Sequence, residues 1–412
     1  MKHNFEIAIE ILNLILNDKV PFNLATKNTF EQQKIALENQ ASITGIIGCE
    51  LRHHLLFEAL VKEEFSDKED LKPCSIYLAL ANHFFFLKFD EKEVIEITSK
   101  ETGIDQKDIN AFLAKFVDRN NLIPEKYQKG SFEYLSLRYN CPIWLVKMLN
   151  KHFGRGLAFK ILQINTKPVI QSYKLNGIEQ GKVLLDPNFQ AAPIDDMVLY
   201  IGKGTAKNTE FYKNKQIIPL KMAYKEAVDK VDIKPLSNIA FYSGYSNTCY
   251  IDVAKRMKQG HMDLICSDIL THSEAKRHCS IYGLKGVSLY EEKAANLLAV
   301  ISEKVDYFFM LARNSNFELL RSNADYFLRF NNHDLDSIMN EQRYSLEEAS
   351  SLINVNGQLI YMIPTLNKKE SKQIITEFLL IHKEFSLLEE KQYFPFEELN
   401  STLYVARLIK MK

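Results

Sequence analysis

Apolar positions in the first 125 residues recur every three to four residues, which is the spacing of an amphipathic helix. The first such stretch carries Phe5, Ala8, Ile9, Leu12, Ile15 and Leu16. The same period returns over residues 43–60, 74–89, 91–99 and 106–117. Because no convincing strand pattern interrupts these stretches, we predict that residues 1–125 form an all-helical bundle.

Residues 126–235 carry a mixed and less regular pattern. A basic amphipathic helix is predicted around residues 143–162, and short strands are predicted near residues 197–201 and 216–220. The pairs Asp186-Pro187 and Ala192-Pro193 mark loops. We therefore predict a connecting α/β subdomain over this tract.

From residue 236 onward, short apolar runs alternate with helical stretches. The runs cover residues 239–242, 262–266, 305–311, 358–362 and 403–408. Alternation of this kind predicts a mostly parallel, doubly wound sheet with helices on both faces. The fold class expected for the whole chain is α/β, with domains over residues 1–125, 126–235 and 236–412.

Local signals predict where two helices of the last domain begin. Ser345 with Glu348, and Asn367 with Glu370, have the spacing of capping boxes. Gly283 stands where a helix that begins near residue 273 should end.

Charge is balanced over the whole chain but not along it. The 52 basic residues equal the 52 acidic residues, so the formal net charge is zero. Between residues 131 and 175, however, Glu133 is the one acid among seven basic residues, which gives 7 − 1 = +6. Such an excess is typical both of a solvated surface and of a phosphate-binding surface. The seven basic residues are Arg138, Lys147, Lys151, Arg155, Lys160, Lys167 and Lys174.

Six cysteines, at positions 49, 74, 141, 249, 266 and 279, form no CxxC pair. This pattern predicts reduced thiols in a cytoplasmic protein. The first residues run directly into an amphipathic pattern without a signal-peptide cleavage site, and no apolar run reaches the roughly 20 residues of a membrane span. The spacing of His272, His278 and Cys279 fits no usual zinc site, so no metal is expected.

Four segments in the same order along the chain carry a resemblance to a known family. They are GCELRHHLL at residues 48–56, RYNCPIWLVKML at 138–149, GQLIY at 357–361 and LYVARLIK at 403–410. With these segments the sequence resembles the RsmB/Sun family of 16S ribosomal RNA (cytosine-5) methyltransferases. The resemblance implies a NusB-like RNA-binding domain, a connecting subdomain and a Rossmann-like S-adenosylmethionine-dependent methyltransferase domain.

The family's reaction needs groups that this sequence lacks. In the family a cysteine thiolate attacks carbon 6 of cytosine, a second cysteine helps to release the product, and an aspartate binds the base. The resemblance places Pro364 at the nucleophile position, Asn314 at the second cysteine and Leu311 at the aspartate. None of these side chains can replace a thiolate or a carboxylate. Cys249 and Cys266, the nearest cysteines in sequence, are interpreted as packing residues.

The resemblance also implies an altered cofactor site. Gly244 is one remaining glycine of the family's glycine loop, and Tyr245 puts a bulky side chain where close backbone approach is needed. Asp268 stands where an acid would bind the ribose hydroxyls, and Glu291, or else its neighbour Glu292, where one would lie near the adenine. These are remnants that a conserved fold would explain equally well. We therefore expect S-adenosylmethionine binding to be lost.

Residues for RNA binding are expected in the first two domains. The predicted helix at residues 143–162 would pack an apolar stripe that includes Trp144, Leu145, Met148, Leu149 and Phe153 against the core. Basic side chains would project on its other side and bind phosphates. The RNA-binding residues expected from the resemblance and the charge are Arg52, Arg138, Lys147, Lys151 and Arg155.

Three hypotheses remain open from the sequence. The first is a catalytically inactive family member that binds RNA, with 16S ribosomal RNA as partner and neither DNA nor a membrane. The second is an active S-adenosylmethionine-dependent methyltransferase that uses unconventional groups. The third is a protein-interaction module without an RNA function.

Overall fold

The computed structural model describes residues 3–68, 70–116, 122–330 and 333–412. The helices are α1 Asn4–Leu16, α2 Phe22–Gln33, α3 Leu37–Leu51, α4 His54–Glu64, α5 Cys74–Ala81, α6 Glu91–Thr102, α7 Gln106–Ala114, α8 Phe132–Tyr139, α9 Ile143–Asn165, α10 Gln180–Val183, α11 Glu210–Lys213, α12 Met222–Asp229, α13 Cys249–Arg256, α14 Ile269–Tyr282, α15 Tyr326–Arg329, α16 His333–Leu352 and α17 Lys372–Ile381. The strands are β1 Gln171–Leu175, β2 Phe189–Ala191, β3 Met197–Tyr200, β4 Ile217–Pro219, β5 Asn238–Ser243, β6 His261–Cys266, β7 Val287–Glu291, β8 Val305–Leu311, β9 Ile353–Ile363, β10 Phe385–Tyr393 and β11 Leu403–Lys410.

The chain forms two compact units. The first unit contains Met1–Lys167 together with Leu319–Phe330, and the second contains Pro168–Glu318 together with Asn331–Lys412. The three-domain division at residues 125 and 235 stays a prediction.

The first unit is helical, as the apolar periodicity predicts. Its core is formed by fully buried side chains on successive helices, among them Phe5, Ile47, Phe57, Leu78 and Phe112. Burial of apolar faces of this kind stabilises a bundle more than helix propensity does. The predicted stretch at 106–117 forms α7, and its last residue, Val117, lies outside the described residues.

The long helix α9 is kinked at Gly154. That residue has φ 76° and ψ 165°, a conformation that is essentially restricted to glycine. The helix therefore has two halves that point in different directions, and the expectation of one continuous basic helix is wrong. Leu145 and Leu149 are buried as predicted, whereas Trp144 is half-buried and stacks on Phe330, with ring centroids 5.7 Å apart.

The second unit begins with a four-stranded antiparallel sheet in the order β2-β3-β1-β4. The strands predicted near residues 197–201 and 216–220 are β3 and β4. Lys174 of β1 forms an ion pair with the buried Asp252 of α13, and Arg256 donates to the same carboxylate at 2.8 Å. This buried charge cluster attaches the small sheet to the larger one that follows.

The larger sheet has seven strands in the order β10-β11-β9-β8-β5-β6-β7. The five neighbouring strands β9, β8, β5, β6 and β7 are parallel to one another, and β11 is antiparallel to both of its neighbours. The expectation of a doubly wound, Rossmann-like sheet is confirmed. The chain starts in the middle at β5, extends to β7 on one side, and then returns to β8 on the other side.

Both predicted capping boxes are wrong. Ser345 lies inside α16, where its hydroxyl donates to the carbonyl of Glu341 one turn earlier at 2.6 Å. Asn367 precedes α17, whose N-cap is Ser371. Gly283, by contrast, ends α14 in a left-handed conformation with φ 60°, as predicted.

Candidate active-site cleft and basic surface

A cleft of about 560 Å³ opens at the carboxyl ends of β5, β6 and β8. From β5 the chain continues to β6 on one side and later to β8 on the other side. The carboxyl end of β5 is therefore the switch point at which doubly wound sheets bind ligands. The cleft is lined by Tyr242, Gly244, Tyr245, Ser267, Asp268, Lys293, Arg313, Asn314, Asn316 and Glu341. Charges of both signs therefore face the space, and Arg313 is paired with Glu341 at 3.4 Å.

Gly244 has a structural reason to be glycine that is independent of any ligand. Its N–H donates to the carbonyl of Leu311 at 2.8 Å. A Cβ at this position would lie 2.6 Å from the backbone nitrogen of Arg313 and 2.7 Å from the Leu311 oxygen. The close approach of two backbones at the switch point thus requires glycine here.

Tyr245 and Phe241 do not close the cleft. Phe241 is fully buried in the sheet core, where it stacks on Phe309 with ring centroids 5.9 Å apart. Tyr245 lines the cleft, but its hydroxyl hydrogen-bonds with the Tyr224 hydroxyl at 2.7 Å and its ring packs against the core. Burial raises the pKa of both phenols well above their ordinary value.

The two acids implied for cofactor binding occupy different environments. Asp268 lines the cleft and is also the N-cap of α14, accepting from the Thr271 N–H at 2.9 Å. Partial burial raises the pKa of Asp268, but hydrogen bonds from Thr271 and Ser267 outweigh this effect and lower it overall. Glu291 is exposed at the end of β7 and is not among the residues that line the cleft.

The residues at the implied catalytic positions are not nucleophiles, and two of them do not line the cleft. Leu311 is fully buried in the sheet core, and Pro364 is buried after β9. Asn314 does line the cleft, with its amide oxygen accepting from the Asn316 N–H at 2.7 Å. Its amide nitrogen donates to the Ala312 carbonyl at 3.1 Å, so the side chain stabilises the loop after β8.

Behind this loop lies a buried carboxyl that the sequence pattern assigns to a helix cap. Glu370 is fully buried and accepts from the Ser315 N–H at 2.7 Å and from the Thr365 hydroxyl at 3.0 Å. Gln342 of α16 donates to the Arg313 carbonyl at 2.8 Å and so joins the same network. Burial raises the pKa of Glu370, and the hydrogen bonds offset this only in part. Glu370 thus connects the loops that follow β8 and β9.

No cysteine supplies a reactive thiolate to the cleft. None of the six lines it, and all six are free thiols. Burial raises the pKa of every one of them, that of Cys266 to about 12. A thiol with a raised pKa stays protonated near neutral pH and is a poor nucleophile. Within the described residues, no three His, Cys, Asp or Glu side chains lie close enough together to hold a metal ion.

In the first unit, the structure brings together only some of the expected RNA-binding residues. Lys147 and Lys151 are exposed one turn apart on the first half of α9, and Arg138 is exposed at the end of α8. Arg155 follows the kink and donates to the Gly130 carbonyl at 3.3 Å. Arg52 is exposed at the end of α3, where it donates to the Gly48 carbonyl at 3.2 Å.

One member of the basic tract is already neutralised. Lys174 is largely buried and paired with Asp252, with Asp196 3.7 Å away. Its charge therefore stabilises the second unit. The excess of +6 overstates the positive charge that residues 131–175 offer to a ligand.

Comparison with known proteins was made at the level of sequence and of fold. Over 406 residues the chain is 22% identical to a probable ribosomal RNA small subunit methyltransferase B of Bacillus subtilis (strain 168), covering 92% of this chain and 89% of that protein. The resemblance to the RsmB/Sun family is confirmed. No family model matches the chain.

The fold is shared with solved structures over most or all of the chain. PH0851 superposes with a TM-score of 0.76 at 17% identity, covering 100% of this chain and 99% of that one. NSun6 from Pyrococcus horikoshii superposes with a TM-score of 0.59 at 12% identity, covering 66% of this chain and 98% of that one. At these identities the likeness shows the fold alone. Within the described part of the chain, no helix is both long and apolar enough to cross a membrane.

Proposed function

We propose that this protein is a cytoplasmic, RNA-binding relative of the 16S ribosomal RNA (cytosine-5) methyltransferases that does not transfer a methyl group. The observation that carries the proposal is the chemistry of the cleft. Where the family needs two thiols and a carboxylate, this chain has Pro364, Asn314 and Leu311, and no cysteine lines the space. Neutral amide and hydrocarbon side chains cannot add to a pyrimidine ring and leave again.

Ribosomal RNA is the proposed partner because the relative from Bacillus subtilis is named for it. The NusB-like first domain and the exposed residues Lys147, Lys151 and Arg138 would supply contacts to phosphate. Arg52 and Arg155 are further candidates, since each still has N–H donors beyond its bond to a backbone carbonyl.

The open cleft favours a second candidate function, which is binding of S-adenosylmethionine without its use. The volume and the position at the switch point fit a nucleoside, and Asp268 is placed to accept from ribose hydroxyls. Glu291 would not contribute, because it does not line the cleft. When bound, the cofactor would supply a methyl group. No side chain of the cleft, however, would activate a cytosine to accept it.

A transfer assay tests the loss of catalysis. The full chain is incubated with small-subunit RNA and S-adenosylmethionine carrying a labelled methyl group, alongside an active cytosine-5 methyltransferase as control. We expect no label in the RNA above the protein-free background. Stoichiometric labelling of one cytosine would overturn the proposal in favour of an active enzyme with unconventional groups.

RNA binding is tested by reversal of charge. Lys147→Glu with Lys151→Glu should weaken binding to 16S RNA fragments and reduce the slope of log Kd against log salt concentration. The matched control is Lys92→Glu with Lys107→Glu, which makes the same change of charge at exposed positions of α6 and α7. If the wild-type protein binds no RNA, a protein-interaction module becomes the better hypothesis. Calorimetry with S-adenosylmethionine tests the second candidate function separately.

A further inference from the structure

A second cleft, of about 710 Å³, lies within the first unit between α8 and the two halves of α9. We call it the α8–α9 cleft. Its walls are mainly apolar, and its size is that of a pocket for a small organic ligand or a nucleobase. The apolar side chains that line it are Phe132, Leu135, Val146, Ala158, Phe159 and Leu162.

Its aromatic lining gives this cleft the character of a base-binding site. Phe132 and Phe159 line it, so aromatic rings are available for stacking, and Phe159 is 40% exposed although its neighbour Tyr139 supports it edge-on at 6.0 Å. Base stacking on aromatic side chains is the main means by which proteins bind single-stranded RNA.

The charges around the α8–α9 cleft favour a polyanion over an apolar peptide. Arg155 lines the cleft, and its guanidinium keeps N–H donors beyond the one bonded to the Gly130 carbonyl. The Lys147 ammonium lies 6.0 Å from the centre of the Phe132 ring, so it stands at the same aromatic wall. Glu133 is the one acid among the lining residues. A base in the cleft would thus have cations beside its backbone phosphates.

We propose that the α8–α9 cleft takes an unstacked base of a single-stranded RNA segment, with Arg155 binding a neighbouring phosphate. The proposal rests on the RNA-binding function proposed above and adds to it the form of RNA that is bound. It also explains the kink in α9. Since Gly154 redirects the second half of the helix, Phe159 and Arg155 lie beside the same cleft as Phe132 instead of continuing the line of Lys147 and Lys151.

Gly156 provides a way to fill the cleft without disturbing its walls. It lines the cleft, its φ is not in the left-handed region, and a Cβ there would meet no atom within 4 Å. Gly156→Leu therefore adds a bulky side chain to the lining of the cleft. Phe159→Ala removes one stacking surface and leaves the charges unchanged. Gly181→Leu in the second unit, also without an atom within 4 Å of its Cβ position, is the matched control.

The experiment compares the affinity of each full-length variant for a short single-stranded RNA and for a duplex of the same composition. We expect Gly156→Leu and Phe159→Ala each to weaken single-strand binding roughly five- to a hundred-fold, the effect of losing one stacked base. Duplex affinity and the dependence of binding on salt should be unchanged, since the phosphate contacts remain. A 2-aminopurine at the bound position of the single strand should change its fluorescence on binding to wild-type protein, because it leaves the stack of its neighbouring bases, and should not change on binding to Gly156→Leu.

The possible failures can be told apart. If the wild-type protein binds neither RNA, the RNA-binding function itself is overturned. If it binds both and neither substitution changes the single-strand affinity, only the α8–α9 cleft assignment is overturned. The latter result is also the one expected if an apolar helix of a partner protein occupies the cleft.

Discussion

The backbone N–H of Gly244 donates to the carbonyl of Leu311 at 2.8 Å and so joins the loop after β5 to the end of β8. The loop after β5 and the loop that follows β8 form the floor of the cleft at the switch point of the sheet. A glycine that resembles a remnant of a cofactor loop is therefore needed by the fold itself. Its presence does not by itself indicate that a cofactor is bound.

Gly244→Ala should destabilise the second unit. The new methyl group would lie 2.6 Å from a backbone nitrogen, and one of the two backbones would have to move, at a cost of about 1–3 kcal/mol. Urea denaturation followed by circular dichroism measures the effect. Gly181→Ala is the control, because a Cβ there meets no atom within 4 Å. Equal midpoints for the two variants would contradict the steric account.

Two glycines that lie two residues apart in α9 should respond in opposite directions. Gly154→Ala forces a side chain into a conformation that only glycine adopts easily, and should destabilise the first unit by about 1–3 kcal/mol. Gly156→Ala meets no atom, and should be neutral or stabilising by up to about 1 kcal/mol through helix propensity. The midpoint temperatures of thermal unfolding of the two variants, compared with that of the wild type, test this prediction. A stabilising Gly154→Ala would mean that the kink is absent in solution.

The buried pair Glu50 and His54 predicts a pH dependence of stability. Burial lowers the pKa of His54, but the Glu50 carboxylate, 2.6 Å from its Nδ1, outweighs burial and raises the pKa above the ordinary value. Glu58 raises this pKa further, and Lys19 lowers it. Because the folded pKa is the higher one, the stabilisation is fully present below about pH 6.5. It is lost as pH rises through the folded pKa.

Denaturation of wild type and His54→Gln across this pH range tests the sign. The difference in stability between them should shrink as the pH is raised above about 6.5. His83→Gln is the control, because the pair of His83 with Glu91 is more exposed and should add little. A difference that grows with pH would show that His54 is neutral in the folded protein.

Asp252 should be essential to the stability of the second unit. It is 2% exposed and pairs with both Lys174 and Arg256, so Asp252→Ala would remove the buried acid that the two poorly solvated cations share and leave them only Asp196 and Asp229. A loss of about 3–5 kcal/mol is expected, measured by chemical denaturation. The exposed pair of Asp232 with Lys234 is the control, and Asp232→Ala should change stability little. Similar effects of the two substitutions would argue against the buried cluster.

The sequence predicted those elements whose apolar residues are buried. β5, β6, β8, β9 and β11 were visible as apolar runs because both faces of these inner strands are covered. β7 and β10 were missed, and they are the two edge strands of the sheet. Edge strands carry polar and half-exposed residues, as the Glu389-Glu390-Lys391 segment of β10 does, so their pattern does not stand out.

Details of the candidate site depend on contacts and backbone conformations that cannot be predicted from the periodicity of the sequence. The period of three to four continues through Gly154, so the kink was not predicted, although two glycines in three residues were a signal of it. Lys174 was counted as part of a basic surface, because its partner Asp252 is 78 positions away in the chain. The openness of the cleft beside Tyr245 likewise depends on the Tyr224 hydroxyl that holds the Tyr245 side chain.

Residues 319–330 reach the helical unit from late in the chain. Within it, the Phe22 N–H donates to the Asp325 carboxylate at 3.2 Å, and Arg321 donates to the Lys167 carbonyl at 2.9 Å. During translation, the amino-terminal helices therefore emerge long before these partners do, and strands β1 to β8 are synthesised in the interval. The bundle cannot reach its final form until Phe330 has left the ribosome. Its maturation thus follows the synthesis of most of the sheet, although its own helices α1 to α9 are made before any strand of that sheet.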